Sequence, residues 1–175
     1  MLKQVKPNRK NKPKKQKIKN LEIEPKILQR TLQTDILDGS QLTLSFWIRG
    51  IENFDFHKFN KKVHILSVKK ADLVLLEVFY QNSKVFFSII KKDNRKEEFS
   101  MNSRLDLKKF QLLTLTCNQT DFKLCLNNSL DLLLSYNKLY EGEESKSSKL
   151  RVEQYKTSCF KIMDLFVSKN PKIDF

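Results

Sequence analysis

Apolar and polar positions alternate most cleanly in Leu42-Thr43-Leu44-Ser45-Phe46-Trp47-Ile48-Arg49. A period of two places Leu42, Leu44, Phe46 and Ile48 on one face of a strand and Trp47 on the other. Val63–Val68 is a second such run. Leu73–Tyr80 is almost wholly apolar, as a strand buried on both faces would be. Gln81-Asn82-Ser83 reads as a turn into Val85–Ile90, and Lys91–Glu97 as a charged loop. Phe110–Cys117 and Phe122–Leu126 flank the hairpin signal Asn118-Gln119-Thr120-Asp121. Asn127-Asn128-Ser129 turns into Leu130–Leu134, Tyr136–Ser148 is a polar, acidic loop, and Leu150–Gln154 and Cys159–Val167 close the series. The best competing helix lies over Glu24–Leu37, where a strand plus loop is the preferred reading. About ten or eleven short strands at this spacing predict an all-β, antiparallel two-sheet sandwich.

Composition agrees with one folded body and a tail. The chain has 175 residues, 39% apolar residues and 13 Phe, which argues against disorder throughout. No apolar run reaches membrane-spanning length, so no membrane insertion is expected, and the start MLKQVKPNRK has no apolar core of a secretory signal. Cys117, Cys125 and Cys159 are an odd number with no zinc or redox spacing. They read as small apolar residues and free thiols of a reducing compartment.

Charge divides the chain in two. The formal net charge is +14, with 34 Lys and Arg against 20 Asp and Glu. Residues 1–20 hold Lys3, Lys6, Arg9, Lys10, Lys12, Lys14, Lys15, Lys17 and Lys19 and no acid, and Pro7 and Pro13 oppose a helix there. This predicts an extended basic N-terminal arm over 1–20, with a reach of roughly 65 Å, and a sandwich domain over 21–175. Nine cations without an acid suit a polyanion. Lysine, as a point charge, favours phosphate contact over base readout. One Ala and three Gly beside many Lys, Asn, Ile and Phe also suggest an AT-rich gene, which accounts for part of the lysine excess.

The body carries a resemblance. Ile36-Leu37-Asp38-Gly39-Ser40-Gln41 leading into Leu42–Ile48, followed by His64-Ile65-Leu66-Ser67, resembles the opening of concanavalin A-like domains of the laminin G and pentraxin kind. Lys109–Thr116 is similar to a later strand of that family, with Phe110 where Trp is usual. Phe122–Leu130 is similar to its hairpin, with Asn128 where Gly is usual, and Phe160–Ser168 to its closing strand. The resemblance implies a jelly-roll sandwich. It does not bring the family's chemistry with it. The glucanase pattern of carboxylates on alternate positions of one strand is missing: Glu77 stands alone in an apolar strand, and the adjacent Glu97 and Glu98 point to opposite faces. Asp121, Asn127, Asn128 and Asp131 have calcium-ligand chemistry but read better as turn formers.

No phosphate-binding loop, nucleophile elbow or metal motif is present. His57 and His64 read as ordinary loop or surface residues. No enzyme, catalytic residue, metal, cofactor or small-molecule substrate is therefore expected. Basic clusters at Lys58, Lys61 and Lys62, at Lys69 and Lys70, at Lys91, Lys92, Arg95 and Lys96, and at Lys108 and Lys109 fall at strand ends. Trp47, Phe86 and Leu112 lie on the phase opposite their inward faces and are candidates for protein contact. The function expected is a structural component of a large ribonucleoprotein, a mitochondrial ribosomal protein of the matrix, with the arm on ribosomal RNA and the sandwich against neighbouring ribosomal proteins. The alternatives are an accessory subunit of a respiratory-type assembly, a carbohydrate-binding lectin-like module, and a cytoplasmic or nuclear protein using Pro13-Lys14-Lys15-Gln16-Lys17 as a localisation signal.

Overall fold

The computed structural model describes residues 27–34, 41–52, 54–56, 61–90, 95–118, 121–135, 149–157 and 159–169. The basic arm lies outside these residues. The described residues form eleven strands: β1 Ile27–Gln33, β2 Leu42–Gly50, β3 Val63–Lys70, β4 Leu73–Gln81, β5 Lys84–Ile90, β6 Lys96–Ser100, β7 Gln111–Cys117, β8 Asp121–Leu126, β9 Ser129–Ser135, β10 Leu150–Lys156 and β11 Phe160–Ser168. One sheet has the order β1-β10-β3-β4-β5-β6 and the other β11-β2-β7-β8-β9. Every pairing is antiparallel. This is the expected two-sheet sandwich, and the segment that competed as a helix is strand β1 where it is described.

Local chemistry sets the hairpins. The two-residue turns Asn82-Ser83 and Asn127-Asn128 have positive φ at both positions, 50° and 65° in the first, 50° and 67° in the second. Such turns carry the twist of the strands they join, and Asn tolerates that backbone better than other residues with a β-carbon. They fix the registers Gln81↔Lys84 and Leu126↔Ser129. Strand β6 corrects the sequence reading, which took residues 91–97 as a charged loop. Lys96-Glu97-Glu98 lacks an apolar run, yet pairs with β5 from Phe86↔Ser100 to Ile90↔Lys96. As the outermost strand, with one neighbour only, it can carry charges that discourage further pairing.

The core lies between the sheets. Leu42, Leu44, Phe46 and Ile48 of β2 are fully buried, opposite Leu76, Val78, Phe87 and Ile89. The Phe87 ring from one sheet meets the Phe122 ring from the other edge-on at 5.9 Å. Each such side chain contributes about 1.5–3 kcal/mol by leaving water. Cys117, Cys125 and Cys159 are free and buried. Burial pushes the Cys117 thiol up to about 12 and the Cys125 thiol upward. No helix among the described residues is long and apolar enough to cross a membrane.

Candidate functional site

A cleft of about 560 Å³ opens at one end of the sandwich. Its walls come from four pieces of chain: the end of β2 with the residues after it, the end of β4, the β4–β5 turn, and the connection from β6 to β7. Gly50, where β2 ends, has no room for a side chain. A β-carbon there would stand 2.8 Å from the Phe56 ring and 2.9 Å from the Leu107 carbonyl. That space is used by backbone, since Gly50 N–H donates to Leu107 O at 3.0 Å. Ile51 N–H donates to Cys159 O at 2.8 Å, which ties the same strand end to the start of β11.

The floor is aromatic. Phe56 packs edge-on against Phe54 at 4.7 Å and against Tyr80 at 5.7 Å, while Tyr80 meets Phe160 at 4.8 Å. Tyr80 is 1% exposed, and its hydroxyl makes no hydrogen bond of good geometry. Burial pushes its ionisation upward, with Ser83 acting the other way, so the hydroxyl stays protonated. A buried hydroxyl without a full partner costs free energy. Four charged residues also line the cleft, Glu52 and Asp55 from the connection after β2 and Arg104 and Lys108 from the connection before β7.

The β6–β7 connection has no regular structure, but it is clamped. Met101 is fully buried and its N–H donates to Val85 O at 3.0 Å. The Asp131 carboxylate of β9 accepts from Asn102 N–H and Ser103 N–H, both at 2.8 Å, and the Asn102 side-chain amide donates to Asp131 O. Asp131→Ala is expected to cost about 1–2 kcal/mol, since it leaves two backbone donors to water. It should also raise amide exchange over residues 102–108 ahead of the sheets. Uniform exchange in the variant would show that the clamp does not hold this loop.

The other candidate residues lie elsewhere. Trp47 and Leu112 are cross-strand partners on the outer face of the five-stranded sheet, beside Met163. Phe86 is on the outer face of the opposite sheet, stacked on Phe79 at 5.3 Å, so the three do not share one surface. Asn127 Oδ1 accepts from Leu112 N–H at 2.9 Å, and Asn118 Oδ1 from Asp121 N–H at 2.6 Å. The side-chain oxygens of Asn127 and Asp131 thus act within a turn and a clamp, and no group of three metal-ligand side chains occurs among the described residues. His57 and the arm lysines lie outside the described residues.

Sequence reasoning missed a charged network on the outer face of the six-stranded sheet. His64, read as an ordinary surface residue, places Nδ1 3.4 Å from Glu77 Oε1, and Lys96 Nζ lies 3.1 Å from Glu77 Oε2. Lys62 Nζ sits 3.6 Å above the Phe79 ring and 3.7 Å from Glu98. Further along, Lys69 Nζ meets Glu153 at 2.7 Å. The register lines up Glu153, Ser67, Glu77, Ser88 and Glu98 across five strands. Charges here are matched within the protein, so several strand-end lysines add little to a basic footprint. The cleft, by contrast, combines concavity, an apolar floor and convergent polar groups, the usual make-up of a ligand site.

No family model matches the chain, and no curated protein matches it. Solved structures do. The serotype D botulinum neurotoxin binding domain matches with a TM-score of 0.60 at 16% identity, over 83% of this chain and 39% of that one. A structure of botulinum neurotoxin type C, which depends on interaction with two ganglioside molecules to enter cells, matches with a TM-score of 0.53 at 18% identity, over 75% of this chain and 32% of that one. The binding domain of botulinum neurotoxin DC in complex with SialylT matches with a TM-score of 0.56 at 16% identity, over 75% and 32%. The chain thus spans well under half the length of these structures. At such identities the likeness establishes the shared sandwich fold.

This corrects the expected function. The structures named here are botulinum neurotoxin structures, two of them binding domains, and the ribosomal reading, with ribosomal RNA and ribosomal proteins as partners, is set aside. Its physical basis was the arm, which lies outside the described residues. In the body, Lys62, Lys69 and Lys96 are matched to carboxylates and leave little free charge for phosphates.

Proposed function

We propose that this chain is a lectin-like binding module that takes part of a glycan into the end cleft, by binding and not by turnover. The observation that carries the reading is the cleft itself, lined by the aromatic rings of Phe54, Phe56 and Tyr80 and by the charged Glu52, Asp55, Arg104 and Lys108. A pyranose has an apolar face of C–H groups and an edge of hydroxyls. Phe54 and Phe56 offer apolar surface for the first; the lining carboxylates and cations offer acceptors and donors for the second. The sandwich shared with toxin domains that engage gangliosides and sialylated ligands supports the same reading.

The test is a glycan array probed with the folded chain, followed by titration calorimetry on the best ligand. Phe54→Ala removes one ring from the cleft lining. It should weaken binding by about tenfold, the equivalent of roughly 1.4 kcal/mol. A folded wild-type chain that retains no glycan above background would end this proposal.

A further inference from the structure

We infer, independently of the glycan reading, that strand β9 is a pairing edge for a second copy of this chain, joined antiparallel about a two-fold axis into one continuous sheet. Among the described residues the two sheets have four edge strands, β1 and β6 in one and β11 and β9 in the other. Open backbone along an edge pairs readily with another strand, so edges are commonly guarded by charge or by a bulge. Three of the four are guarded in this way. Strand β1 carries Arg30 and a bulge between Leu28 and Arg30. Strand β6 carries Lys96, Glu97 and Glu98. Strand β11 carries Lys161 and Asp164, and its register breaks between Met163 and Phe166, with Asp164 at a φ of 51°.

Strand β9 is different. Ser129-Leu130-Asp131-Leu132-Leu133-Leu134-Ser135 holds four leucines and a single charge. That charge is engaged within its own chain, since the Asp131 carboxylate accepts from Asn102 N–H and Ser103 N–H. The irregularity in the pairing with β8 falls at Asp131, so residues 132–135 run in regular register. On its other side β9 has no neighbour among the described residues. Leu132 and Leu134 are partly buried against the core, while Leu130 and Leu133 stand on the outer face, 57% and 51% exposed.

A second copy suits this edge better than a foreign strand because the pattern complements itself. Antiparallel pairing centred on Leu133 sets that residue against its own equivalent on the outer face. On the inner face it sets Leu132 against Leu134 of the second copy, twice. Asp131 then meets Ser135 of the second copy, so no like charges stand opposed. The two-fold also closes the assembly, because it occupies the unguarded edge of both copies. A seven-residue edge buries far less than the about 800 Å² per partner of a standard interface, so the dimer is weak. The net charge of +14 on each chain opposes it further. Strand β9 runs opposite to β2 within its sheet, so the two-fold sends the two end clefts to opposite ends of the dimer. Such a dimer bridges two surfaces instead of gripping one twice.

Sedimentation equilibrium of the full chain, from about 5 μM to about 500 μM, tests this in about 0.3 M salt, where charge repulsion is screened. The weight-average mass should climb with concentration from the monomer value towards twice that value, and more steeply than at low salt. Leu133→Lys sets two ammonium groups against each other across the axis and should hold the mass at the monomer value. Leu133→Asp should do the same, and an equimolar mixture of the two variants should restore the rise. Leu28→Lys, at an exposed position of the guarded β1 edge, should leave the rise unchanged. A monomer at every concentration would overturn the inference and leave the edge to a foreign strand. Association unaffected by Leu133→Lys, a mixture that stays monomeric, or a mass that grows past the dimer would overturn it as well. None of these outcomes touches the glycan reading, which the array tests.

Discussion

Replacing Phe87 with alanine is expected to lower the folding free energy by about 3–5 kcal/mol. Phe87 lies in β5, is 1% exposed, and pairs with Val78 and Phe99 across neighbouring strands. Its ring is one half of the contact with Phe122 that joins the two layers. Truncation leaves a cavity that strands held by ladders on both sides cannot close. Against a total stability of about 5–15 kcal/mol, the loss is a large share of what keeps the domain folded. Urea unfolding should show a lower midpoint with an unchanged slope. Phe166→Ala is the control: that side chain is 59% exposed on the outer face of β11, and its removal should cost within about 0.5 kcal/mol. A Phe87→Ala loss below that of the control would mean that the layers are not packed as described.

Glu77→Gln should cost about 2–3 kcal/mol at neutral pH, since it leaves Lys96 and Lys62 on a half-buried face without the carboxylate that balances them. The acid limb of the stability profile checks this independently. The His64 contact, and then Lys96, hold the Glu77 carboxyl well below the usual carboxylate range against the opposing effect of burial. Glu153 is shifted the same way. Burial pushes it up, but Lys69 and Tyr155 outweigh that effect. A group whose folded pKa is depressed contributes stability that is whole above its unfolded value and is lost as pH falls towards the folded one. Wild-type stability should therefore fall from roughly pH 5 down to pH 2. The Glu77→Gln curve should fall less steeply and approach the wild-type curve at the acid end. Parallel curves would show that Glu77 is not coupled to its cations.

The fold was legible because the strongest strands alternate at the level of single residues. Leu42, Leu44, Phe46 and Ile48 point inward as a period of two requires, and the Asn-rich dipeptides turn where turn chemistry places them. Strand β6 was hidden because an edge strand needs only one paired side, and Lys96-Glu97-Glu98 carries no apolar run. The cleft was hidden for a different reason. It joins Gly50, Tyr80 and Arg104, which meet only through the order of strands in two sheets. Gly50 was the available signal, as a lone glycine ending an apolar strand. Glu77 and His64 were each noticed, but their contact depends on the register between β3 and β4, which shifts between His64 and Leu66. No count of spacing along the chain predicts such an irregularity. Trp47 and Leu112 shared a phase and proved neighbours, whereas Phe86 shared the phase on the other sheet.

Cys117, buried between the two sheets, gives the molecule an internal clock. Only the deprotonated form of cysteine attacks an alkylating reagent, and Cys117 at about 12 is almost never in that form while the layers are closed. Modification at neutral pH must wait until the sandwich parts. The rate of iodoacetamide uptake at Cys117 therefore times how often the interior meets water, and a bound ligand at the far end would register as a slower tick.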